Sequence, residues 1–149
     1  MSVETELKQL IVKANECINS IERFDLICLK EKYQDPIIQK TLHLICILKG
    51  KAPTKRNAKE LLNPLTFKLE FSKIESKTLR PESIIRAYKH LIINKDMLND
   101  KNLRSNYPTI IKLLEWANCI LIINKSNTKN IKQNGKVTPS MLPEIKVSL

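Results

Sequence analysis

Two histidines, four cysteines and fifteen carboxylates are the residues of this 149-residue chain whose types suit chemistry. Acid–base or nucleophilic catalysis needs such groups to converge, each within hydrogen-bond reach of the next. His43 and His90 fall on the polar sides of two different apolar segments, with no serine, cysteine or carboxylate motif beside them. They read as surface histidines. Cys17, Cys28, Cys46 and Cys119 form no CxxC pair and sit in apolar stretches, where a thiol behaves as a small hydrophobe. With glycine only at positions 50 and 135, no glycine-rich loop can cradle a phosphate. Most carboxylates have lysines nearby at helical spacing, as on solvated faces. The reading is a non-enzymatic protein with no catalytic, cofactor-binding or metal-binding residues.

Positive charge is the feature that remains. The net charge is +11, which points to an acidic partner: nucleic acid, an anionic membrane or an acidic protein. Residues 1–35 sum to −2, 36–100 to +7 and 101–149 to +6, so the field belongs to the body and the tail. "KGKAPTKRNAK" (49–59) holds five cations and no acid, and "NKDMLNDKNLR" (94–104) with Lys112 supplies a second basic region. A single basic cluster is usually a solvated face; two clusters and a basic tail argue for binding.

The elements that must carry these charges are helical. Two glycines, seven prolines and 42% hydrophobic residues describe one globular helical domain. Val3, Leu7, Leu10, Ala14, Cys17, Ile21 and Phe24 repeat at alternating spacings of four and three. This fits either a coiled-coil seam awaiting a partner strand or a first bundle helix facing the core. A short second helix or bend covers 24–32. Asp35 caps a strongly apolar helix over 36–49, Pro36 takes its first position and Gly50 ends it. Thr54 opens a helix to about 62; 65–75 is a short helix or extended turn. A helix starts at Pro81, 94–106 is a loop, and the longest apolar helix runs over 108–124. From Ser126 the chain is polar, basic and broken by Gly135, Pro139 and Pro143, and reads as a tail with Met141, Leu142, Ile145 and Val147 able to dock. "MSVETELKQL" lacks a basic signal-peptide start, and no apolar run reaches membrane-spanning length. The expectation is an all-α bundle of about six helices over 1–125, its residues 1–24 a stalk-like stub, with a basic tail over 126–149, in the cytoplasm.

The order "CINSIERFDL", "CLKEKYQDP", "IIQKTLHLICILKG", then "TKRNAKELL", "FKLEFS", "PESIIRAYKHLI", "NKDMLNDKNLRSNYP" and "TIIKLLEWANCILIINK" resembles the microtubule-binding domain at the tip of the dynein heavy-chain stalk. The similarity spans roughly residues 15–125 and rests on ordered elements rather than on one motif. Asp35-Pro36 stands where the family has a double proline, and Arg56 and Asn57 stand where it usually has a tryptophan. The chain has no motor ring, and only about three heptads precede the domain. The resemblance implies a helical bundle seated on the acidic tubulin lattice, its contacts falling on Lys30, on Lys55, Arg56 and Lys59, and on Lys101, Arg104 and Lys112. Without a second stalk strand to slide, attachment would be static, in the cytoskeleton or a stable array such as a cilium axoneme. Two other readings stand beside it. One is a helical adaptor, with 3–24 pairing in a coiled coil. The other is a nucleic-acid binder, which has the charge but few aromatics for base stacking.

Overall fold

In the computed structural model, residues 3–76, 79–99 and 102–124 are described, and among them every regular element is a helix. Nine occur there: α1 (Val3–Asn19), α2 (Arg23–Glu31), α3 (Pro36–Lys49), α4 (Lys55–Leu61), α5 (Phe67–Ser76), α6 (Pro81–Ile93), α7 (Lys95–Leu98), α8 (Leu103–Asn106) and α9 (Pro108–Ile123). The expected count of about six was low for two reasons. Residues 67–76 are a full helix, and the segment read as a 94–106 loop contains the single turns α7 and α8. Leu98 and Leu103 anchor those turns in the core, one buried leucine each, which is too few to give a helical period.

Local chemistry sets the ends of α3. Asp35 Oδ1 accepts the Ile37 N–H at 2.9 Å, and Pro36 occupies the first turn, where its missing donor costs nothing. At the other end Gly50 takes φ +82°, and the N–H groups of Gly50 and Lys51 return to the carbonyls of Ile47 and Cys46. That left-handed turn suits glycine and closes the last carbonyls of the helix. Thr54 then caps α4 through the Asn57 N–H at 3.2 Å.

Between those ends α3 is the central post. Ile38, Leu42, Leu44, Ile45 and Leu48 are buried, and the helix packs against α4, α6, α7 and α9. Even Thr41 is interior, its hydroxyl returning to the Ile37 carbonyl at 2.9 Å. A second centre joins α5 to α9. Phe67 and Phe71 lie 4.4 Å apart between ring centroids, Phe71 and Trp116 4.7 Å apart, and the Trp116 indole N–H donates to Glu75 Oε1 at 2.8 Å. Burial of this carboxylate raises the Glu75 pKa, and the indole bond works against that rise.

The first helix packs on the last. Ala14, Cys17, Ile18 and Ile21 are core residues, and α1 lies along α9 and α5. Lys13 pairs with Glu115 at 3.5 Å, while Lys112 Nζ, a turn earlier in α9, donates to the Ser20 carbonyl at 3.2 Å. Rising numbers in α1 thus meet falling numbers in α9, so the pair is antiparallel. The lower part of the heptad seam is filled by the chain's own α9. The seam also stops earlier than its spacing suggests. The helix ends at Asn19, and Phe24 stands 71% exposed on α2.

Candidate binding surface

The residues proposed for contact separate into two groups along α3. Lys30, exposed, lies in the last turn of α2, just before the Asp35 cap. A cleft of about 160 Å³ between α2 and residues 106–110, lined by Asp25, Cys28 and Lys32 on one side and Tyr107 on the other, sets α2 beside the α8–α9 corner. There Tyr107 donates its hydroxyl proton to Asp35 Oδ2 at 2.5 Å. Arg104 belongs to α8 in this same corner, and Lys101 lies outside the described residues.

Lys55 and Arg56 follow the opposite end of α3. Buried Ala58 and Leu61 fasten α4, and the first turn is left in solvent. The Arg56 side chain is 89% exposed, with Nε 3.6 Å from Glu60 one turn on, a surface pair of little energetic weight. Lys59 is half-buried. Two cations and no acid in the first turn of α4 oppose the helix dipole. At ~1.5 Å per residue, the length of α3 separates the departure points of the two groups by ~20 Å. Lys112 is half-buried, and its Nζ donates to the Ser20 carbonyl in an exposed bond that helps hold α9 to the end of α1.

The histidines depart from expectation. His43 Nε2 and the hydroxyl of buried Tyr33 share a hydrogen bond at 2.7 Å, and the His90 Nε2–H donates to the Lys40 carbonyl at 2.7 Å. Neither is a free surface group. Burial is the largest cause lowering both imidazole pKa values, with the Lys40 charge adding to it, and burial also raises the Tyr33 pKa. The Tyr33–His43 contact ties the turn after α2 to α3. Three of the four thiols are buried and Cys28 is only half-buried; burial pushes Cys17 up to about 12 and Cys46 to about 11. Among the described residues no three of His, Cys, Asp and Glu gather as metal ligands, and no helix is long and apolar enough to cross a membrane.

One basic surface escaped the sequence reading. Arg80, Arg86 and Lys89 of α6 and its approach meet Lys51 across a groove of about 620 Å³. A scan for contiguous charge misses it, because α6 spaces its cations by helical turns and Lys51 comes from 29 or more residues away. The tail residues Met141, Leu142, Ile145 and Val147 lie outside the described residues. No protein family, curated protein or solved structure matches the chain.

Proposed function

We propose that the protein is a non-enzymatic microtubule-binding structural module, attached statically to the acidic tubulin lattice in a stable array such as a cilium axoneme. The observation that carries this reading is the antiparallel α1–α9 pair. In a domain of the dynein-tip type the stalk strands enter and leave side by side; α1 and α9 also lie side by side, but as bundle helices joined through buried Ala14, Cys17 and Ile18, so they are not a pair free to slide. The exposed first turn of α4 and Lys30 on α2 supply cations on two of the elements that make lattice contacts in that family. Rim charges of this kind govern encounter and register, and their attraction fades with salt over ~8–10 Å. The test is co-sedimentation with microtubules at low and physiological salt, comparing the intact chain with Lys55→Glu, Arg56→Glu, Arg104→Glu. Failure of the intact chain to pellet at low salt overturns the proposal.

A helical adaptor is the second reading, favoured by Phe24 and Ile27, which stand exposed one turn apart on α2. Truncation at residue 24 cannot test it, because that deletes Ala14, Ile18 and Ile21 from the core. Phe24→Ser with Ile27→Ser leaves the core intact and should abolish a partner contact made there.

A further inference from the structure

We propose that the groove between the C-terminal end of α3 and α6 binds an extended acidic segment of a partner protein. In this reading the segment's carboxylates meet Lys51, Arg80, Arg86 and Lys89, and an apolar side chain rests against Ile47 and Ile93. The inference is independent of lattice attachment by Lys30, Lys55 and Arg56.

The charge pattern is the first argument. Four exposed cations line the groove against one acid, Glu82. Among the described residues none of the ion pairs involves Lys51, Arg80, Arg86 or Lys89, although other lysines and arginines of the body do find carboxylates. Arg80 is also the N-cap residue of α6 and makes no side-chain cap bond. A guanidinium has no acceptor to offer, so the first turn of α6 adds its partial positive charge to the same end of the groove.

Shape and chemistry of the walls select the partner. Glu82, Arg86, Lys89 and Ile93 recur every three or four residues and so share one face of α6. The span from 82 to 93 is ~16 Å of helix, the reach of roughly five residues of extended chain. Ile93 is 81% exposed, and with Ile47 and Pro53 it gives the groove a carbon wall. No Phe, Tyr or Trp lines it, and the one imidazole that does, His90, is half-buried and bound to the Lys40 carbonyl, so the groove has no exposed aromatic platform for nucleic-acid bases. The chain's own segment 126–149 is no candidate occupant, since its four lysines and one glutamate repeat the charge of the groove. An acidic peptide carrying an occasional apolar residue complements both walls.

Fluorescence anisotropy with a labelled glutamate-rich peptide bearing a central leucine tests this at about 50 mM salt, where screening is weak. Arg86→Glu with Lys89→Glu is compared with Lys8→Glu and Lys68→Glu, which reverse the same charge on exposed faces outside the groove. All four positions are exposed, and circular dichroism confirms that both variants fold. The groove variant should bind about tenfold more weakly or worse, the other within about twofold of the intact chain. Equal weakening by both variants would assign binding to the general field and overturn the site. So would tighter binding of an oligo-dT strand of equal length, or no binding by the intact chain.

Discussion

The two carboxylate oxygens of Asp35 do separate jobs: Oδ1 accepts the Ile37 N–H at 2.9 Å, and Oδ2 accepts the Tyr107 hydroxyl at 2.5 Å. One residue therefore starts α3 and ties it to the start of α9, across 72 positions of sequence. Asp35→Ala should cost about 2–3 kcal/mol, the sum of a lost cap and a lost charged hydrogen bond. Tyr107→Phe should cost about 1.5 kcal/mol. Urea denaturation of both singles and the double should show coupling above ~0.5 kcal/mol; simple additivity would mean that the bond adds no stability.

Trp116 is the chain's single tryptophan and is fully buried. Its fluorescence should therefore be blue-shifted in the native protein and move red as the core opens. Trp116→Phe should destabilise by about 1–3 kcal/mol, through lost volume and through a Glu75 carboxylate left without its indole donor. Water-like emission from the native chain would contradict the packing.

Burial lowers the pKa of His43 and His90 below the ordinary 6.5, so the unfolded chain binds protons that the folded chain refuses. Their contribution is complete above that value and is lost as the pH falls below it. The melting temperature should thus decline from about pH 7 toward about pH 5.5, and His43→Gln with His90→Gln should flatten the decline. Glu75, whose pKa is raised by burial, works in the opposite sense nearer its own range, so the upper part of the window reads the histidines.

Thiol labelling at mild alkaline pH should distinguish the cysteines. Cys17, Cys46 and Cys119 are buried, and burial raises all three thiol pKa values, leaving little thiolate to react. Cys28 is only half-buried and should be modified first. Peptide mapping after brief alkylation checks this; early modification of Cys17 would require α1 to leave α9.

The charge reversals proposed for α4 should leave stability nearly unchanged. Lys55→Glu places an acid in a first turn that now holds only cations, worth about +0.3–1 kcal/mol. Arg56→Glu offsets part of this by facing Glu60 one turn on. Lost pelleting at an unchanged melting temperature would be a loss of contact; a melting temperature lowered by many degrees would remove that interpretation.

Most of the helices were legible because their signals are local. Asp35-Pro36, Gly50 and Thr54 mark ends whose partners lie within five residues, and α3 and α9 are apolar enough to be recognised alone. What escaped depended on distance in sequence. The heptad count runs through Ser20–Glu22, where the helix breaks, because spacing carries no information about a turn. The histidines looked superficial because the groups that hold them, the Tyr33 hydroxyl in the turn before α3 and the Lys40 carbonyl on α3, lie at other positions of the chain. Of the proposed contact residues, Lys55 and Arg56 stand exposed, and Lys112 has a structural attachment that no charge run announces.

The antiparallel seating of α1 on α9 also fixes a timetable for synthesis. Cys17 meets Glu115, 98 positions later. At ~5–20 residues per second, a ribosome needs on the order of ten seconds to make that interval. Throughout it, Ala14, Cys17, Ile18 and Ile21 have been translated while the α9 surface that covers them has not. α1 is made that much earlier than α9, and a chaperone acting on the nascent chain would find its apolar stripe still uncovered there.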